Sequence, residues 1–126
     1  LADRRRFKVD TVADFLWLRL LDIPRALAAR TYESPGELVF EVTDVFPTPS
    51  RTCYLLQADG AAECARTAKS PDLALDIDML GAVYLGGVSF ATLAAAGKVQ
   101  ELTPGALRRA DAMFPSGSAP YCSTQF

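Results

Sequence analysis

The sequence predicts an α+β domain, and three observations predict it. Residues 37–45, 51–57 and 61–67 are short runs of strand character. An Asp59-Gly60 dipeptide between the last two is a strong hairpin signal. The later part of the chain breaks into short capped helices at Gly86-Gly87, Gly97 and Pro104. A meander of antiparallel strands followed by helices on one side is the pattern of an α+β fold, not of an alternating doubly wound one.

The elements follow in order. Residues 15–21 read FLWLRLL, apolar on both alternating faces, which predicts a strand covered on both sides. Trp17 then belongs to the core, or its indole N–H places it at the mouth of a cleft. Asp22 is placed to cap a helix with Pro24 in its first turn, running to about Arg30 and burying Ile23 and Leu27. Ser34-Pro35-Gly36 ends that unit. In residues 37–45, Leu38, Phe40 and Val42 face one way while Glu37, Val39, Glu41 and Thr43 face the other, as in a half-exposed strand. Pro47, Pro49 and Ser50 make a loop. The hairpin of 51–57 and 61–67 sets Leu55 opposite Cys64, with Cys53 diagonally across on the same face. Two buried small residues or two neighbouring thiols both fit that arrangement.

Ser70-Pro71 opens the next unit. Leu73, Leu75 and Ile77 alternate with Ala74, Asp76 and Asp78 as a strand. Asp78 is placed to cap a helix over 79–85 that Gly86-Gly87 ends. Ser89 caps a second helix over 90–96, ended by Gly97. Residues 99–102 form a short strand. Thr103 and Pro104 open a last helix with Leu107, Ala110 and Phe114 on one face, and Pro115 stops it. Ser116-Gly117-Ser118 is a hinge into the tail. The uncharged stretch 79–97 approaches the length of a membrane span. Its central Gly-Gly breaks a helix, so two short helices and no membrane span are expected.

Composition bounds the function. The 126 residues suit one domain, and 50% hydrophobic with 22% charged supports a core. A net charge of −2 gives no electrostatic reason to bind nucleic acid, and Arg4-Arg5-Arg6 is too short for a binding patch. The chain starts at Leu1, and residues 1–10 read as the exit from a preceding segment. The 3 cysteines include no Cys-x-x-Cys pair, which argues against a disulfide scaffold or zinc site and for a reducing, cytoplasmic setting. Having no histidine, the chain lacks the Ser-His-Asp and Cys-His nucleophile arrangements, and a transition-metal site is not expected. Asp76 and Asp78 are paired carboxylates of a kind that can do acid–base work or bind a metal, but a solvent face with a helix cap explains them alone. Ala96-Gly97-Lys98 lacks the Gly-rich turn of a nucleotide cradle. No Arg-x-x-Gly-x-Gly/Ala run, as an acetyl-CoA pyrophosphate loop needs, is present. The chain therefore shows no complete active site of its own. Its uncharged tail, residues 121–126, ends in a phenylalanine bearing the α-carboxylate. Burial of Phe126 would carry an acid–base group into a cleft; docking on its own domain is the alternative.

Three blocks, LWLRLLDIPRALAART, DLALDIDMLGAVYLGGVSFATLAAAG and the ending APYCSTQF, occur in order. Together they resemble the carboxy-terminal domain of the Eis-type (enhanced intracellular survival) acetyltransferases of the GNAT superfamily, over about 4–126. Residues 72–97 are also similar to the sterol carrier protein type 2 fold. The resemblance implies a mostly antiparallel five-stranded sheet with short helices packed on one face. It divides the chain into an exit from a GNAT-like domain (1–10), a sterol-carrier-protein-like domain (11–115) and a C-terminal tail (116–126). It implies a parent protein with two GNAT-like domains before this one. That parent transfers acetyl from acetyl-CoA, bound by the N-terminal domain, to amines such as aminoglycosides or lysine side chains. It also implies a homo-oligomer, a hexamer, and export besides the cytoplasmic location. In such proteins the last residue's carboxylate is the general base and a tyrosine of the first domain the general acid; the matching position is Phe126. Gln125 stands where family members often carry Glu, one negative charge fewer to attract polycationic aminoglycosides. Trp17 matches a region of aromatic residues around the substrate cleft. A lipid or small apolar ligand carrier, with a tunnel between sheet and helices, is the alternative function; a structural domain holding an oligomer together is a third.

Overall fold

The computed structural model describes residues 11, 13 and 16–122. Arg4-Arg5-Arg6, Phe15, Gln125 and Phe126 lie outside the described residues.

Helix α1 is Ile23–Ala29, with the Asp22 carboxylate accepting from the Arg25 amide and Pro24 in the first turn. Strands β1 (Gly36–Asp44), β2 (Ser50–Asp59) and β3 (Ala61–Arg66) follow. Strand β4 (Leu73–Asp76) runs directly into α2 (Ile77–Tyr84). Helix α3 is Phe90–Ala95, β5 is Val99–Glu101 and α4 is Ala106–Met113. The sheet order is β3-β2-β1-β4-β5.

Four differences from the sequence expectations have physical causes. First, the sheet is mixed, because β4 lies parallel to β1 while the other pairs are antiparallel. Arg66 and Leu73 stand level, through Tyr54 and Phe40, on opposite sides of the β1–β2 pair. Residues 67–72 therefore cross the sheet instead of turning back. The Thr67 amide donates to the Cys53 carbonyl, Lys69 pairs with Glu37, and the Asp72 carboxylate accepts from the Val39 amide. Second, β1 is the central strand, so Val39 is buried (4% exposed) on the face expected to be polar. Third, the hairpin is centred on Gly60, which has φ +76°, and pairs Asp59 with Ala61. An odd-numbered tip shifts the register by one residue and sets Leu56, not Leu55, opposite Cys64. Cys53 and Cys64 then point to opposite faces and form no disulfide. Fourth, residues 16–20 form no strand, and Leu16, Trp17 and Leu21 are exposed. The sheet's edges are β3 and β5, and this run pairs with neither; its Leu18 carbonyl packs against Gly81 of α2 instead.

The helices cover the face carrying Leu38, Phe40 and Val42. There Phe40 stacks on Phe90 at 5.9 Å, and Phe114 meets Phe90 edge-on at 4.9 Å and Phe40 at 5.9 Å. Asp111 of α4 accepts from the Phe90 and Ala91 amides at 2.7 and 3.0 Å, and Ser89 accepts from the Thr92 amide. The open N-terminus of α3 is thus capped from its own loop and from the neighbouring helix.

Candidate functional site

The start of the C-terminal tail follows a defined route over the domain. Helix α4 ends at Phe114, buried among Tyr32, Phe40 and Phe90, and Pro115 cannot continue it. The chain then lies on the turn between α2 and α3. Gly86 has φ +77°, and a Cβ there would sit 2.7 Å from the Ser116 nitrogen and 2.8 Å from the Phe114 carbonyl oxygen. A Cβ at Gly87 would meet the Pro120 ring at 2.8 and 2.9 Å. Ser116 donates its hydroxyl to the Ser118 carbonyl, so the predicted hinge is a folded turn on this seat.

Arg30 fastens the root of the tail. Its guanidinium donates to the Phe114 carbonyl at 2.6 Å, the Tyr84 carbonyl at 2.7 Å and the Thr31 carbonyl at 3.1 Å. It also lies over the rings of Phe114 and Tyr32, 4.6 and 4.8 Å from their centroids. One cation thereby serves the C-terminal carbonyls of α2 and α4, where the helix dipole favours positive charge. Burial lowers the Arg30 pKa and raises that of Tyr32, whose hydroxyl donates to the Leu27 carbonyl.

The predicted site residues are placed as follows. Trp17 is 90% exposed, so it is not core. Its segment crosses α2 at Gly81, where any Cβ would collide with the Leu18 carbonyl oxygen. The Trp17 segment thus packs on α2 at Gly81, and the tail root on the turn that follows α2 at Gly86. Gln125 and Phe126 lie outside the described residues. Asp76 and Asp78 are both exposed. The helix starts at Ile77, two residues earlier than expected; Asp76 takes the N-cap position with no side-chain cap bond, and Asp78 falls in the first turn. Among the described residues no acidic, Cys or His cluster fits a metal ion.

Sequence reasoning missed two features. One is Arg30, whose partners Tyr84 and Phe114 are distant in sequence. The other is a cleft of about 500 Å³ between residues 19–24 and the adjoining ends of β1 and β2. Arg19 binds Asp44 at 2.6 Å and the Phe46 carbonyl at 2.8 Å across its rim. The bond from Arg19, and then the Phe46 amide, hold the Asp44 carboxyl below the usual carboxylate range. These charges satisfy each other, and among the described residues no nucleophile–base pair lines the cleft.

A model of the sterol carrier protein domain matches residues 23–123. The chain belongs to that family. This sterol carrier protein domain is 50% identical over 109 residues to an uncharacterized N-acetyltransferase of Streptomyces avermitilis, spanning 86% of this chain and 27% of that protein. It is 38% identical over 119 residues to the N-acetyltransferase Eis of Mycobacterium tuberculosis, spanning 92% of this chain and 28% of that one. Among solved structures it is similar to Eis1 from Mycobacterium abscessus, with TM-score 0.79, 41% identity, and coverage of 87% of this chain and 28% of that one. A GCN5-related N-acetyltransferase from Anabaena variabilis gives TM-score 0.70 at 31% identity, covering 80% and 26%. The sterol carrier protein domain thus spans less than a third of the length of the relatives it matches. The fold expectation and the resemblance to the carboxy-terminal domain of Eis-type proteins are both borne out.

Proposed function

We propose that this chain is the carboxy-terminal module of an acetyl-CoA-dependent N-acetyltransferase, and that its terminal carboxylate, on Phe126, acts as general base toward the amine. The observation that carries the reading is the route of the tail. It is clamped by Arg30 at Phe114 and seated on Gly86 and Gly87 as far as Pro120. Six residues beyond Pro120 span at most roughly 20 Å, so the seat bounds where the carboxylate can act. An attacking ammonium must lose a proton before it is a nucleophile, and a carboxylate can attract the cation and accept that proton. Acetyl-CoA and the general acid belong to preceding GNAT-like domains of the parent protein. Gln125 and Trp17 face the amine, and the neutral amide at 125 favours amines of lower charge than polycationic aminoglycosides. The parent works as a homo-oligomer in the cytoplasm.

The lipid-carrier alternative needs an apolar tunnel between sheet and helices. Phe40, Phe90 and Phe114 occupy that layer in mutual contact, which disfavours it. The proposal predicts no turnover by the isolated chain and acetylation of an amine by the full-length parent. Turnover by the chain alone would contradict it. Micromolar, stoichiometric displacement of a fluorescent fatty acid would favour the carrier.

A further inference from the structure

We propose that Gly87 is a positioning residue whose role is to seat the tail, so that the α2–α3 turn sets where the terminal carboxylate reaches; this rests on the terminal-carboxylate reading above. The two adjacent glycines differ in what demands them. Gly86 is required by its own backbone, at φ +77°, and ends α2 in the left-handed conformation that glycine adopts without strain. Gly87 is outside that region and is exposed, so the turn itself would accept alanine. What a side chain at 87 would meet is the Pro120 ring, with Cδ at 2.8 Å and Cγ at 2.9 Å. Both distances are too short for carbon atoms in contact, for which the optimum is about 3.5–4.0 Å. The glycine at 87 is therefore demanded by the tail and not by the turn.

The seat has two anchored ends. At the root, the Arg30 guanidinium holds the Phe114 carbonyl at 2.6 Å. At the exit, the rigid Pro120 ring rests on Gly87. Whatever displaces Pro120 moves the origin from which the last six residues extend. A misplacement of about 1 Å at a reacting group can cost on the order of 10²-fold in rate. Gly87 touches no substrate in this scheme; it acts through Phe126.

The test uses the full-length parent enzyme, with kcat and KM measured for wild type, Gly87→Ala, the double variant Gly87→Ala/Pro120→Ala, and each of these lacking Phe126. Gly87→Ala is expected to lower kcat at least tenfold while KM for acetyl-CoA and the melting temperature stay unchanged. Pro120→Ala removes the two ring carbons that clash, so the double variant is expected to regain most of the lost rate. In the Phe126-deleted background Gly87→Ala is expected to have no further effect. If deleting Phe126 leaves kcat unchanged, the carboxylate reading fails and the positioning role falls with it. If deletion abolishes kcat but Gly87→Ala keeps the wild-type rate, the positioning role is overturned and the carboxylate reading stands. Should Gly87→Ala fold poorly, inserting one glycine after Gly117 shifts Pro120 off Gly87 from the tail side, and a wild-type kcat in that variant overturns the inference.

Discussion

Arg30 shows how one side chain can organise the base of a functional segment. Its planar fork serves carbonyls from three stretches of chain and lies over three rings, which the single ammonium of lysine cannot reproduce. Arg30→Lys is expected to lower the unfolding free energy by about 1–3 kcal/mol, the worth of hydrogen bonds from a charged donor; urea denaturation of the isolated domain measures it. Cys64 gives a pH signature. Burial pushes its thiol up to about 11, whereas a thiol in the unfolded chain ionises near ~8.5. Between those values the unfolded state has lost a proton that the folded state keeps. The stability contribution is therefore complete below about pH 8.5 and falls as pH rises toward 11. Urea midpoints from about pH 8 to about pH 10.5 should fall less steeply for Cys64→Ala than for the wild type. The sequence offered Cys64 as a buried small residue, whereas Arg30 did not announce itself. Arg30 reads locally as an ordinary helix end, because its acceptors Tyr84 and Phe114 are contributed by the ends of two other helices.

At the scale of elements, local chemistry was legible and register was not. Asp22 with Pro24, Ser89, Gly86 and Gly97 all mark helix ends where the sequence placed them, since capping depends on neighbours within one turn. The Asp59-Gly60 hairpin was legible too, but its one-residue shift was not, because two- and three-residue tips share the same dipeptide. The run at 15–21 misled for a different reason: its apolar side chains match a covered strand, yet residues 16–20 are no strand and the Leu18 carbonyl packs against α2 at Gly81. Gly81 tests that packing. Alanine would normally gain up to about 1 kcal/mol of helix propensity at such a position. Against the Leu18 carbonyl the clash should win, and Gly81→Ala is expected to destabilise the domain by about 1–3 kcal/mol. A stabilised variant in thermal melts would show that residues 16–20 do not press on α2. Asp111→Ala removes the acceptor of the Phe90 and Ala91 amides and should cost about 1–2 kcal/mol, read from the same melts.

On the scale of the whole molecule, the fold class came from the order of elements, while the parallel β1–β4 pair depended on a crossing, residues 67–72, that no periodicity encodes. The tail's unusual composition was visible from the start, and its seat on Gly86 and Gly87 was not, since those glycines read locally as helix punctuation. Among the described residues this sterol carrier protein domain holds no complete catalytic set, and its chain is anchored on one turn as far as Pro120. The account therefore stands on the position of a single carboxylate. The most direct measurement compares kcat of the full-length parent enzyme carrying Phe126→Leu, which keeps the carboxylate in register, with an enzyme extended by one glycine after Phe126, which moves it. The account predicts a modest loss for the substitution and a fall of about 10²–10⁴-fold for the extension, the usual worth of a positioned general base. Full activity in the extended enzyme would contradict it.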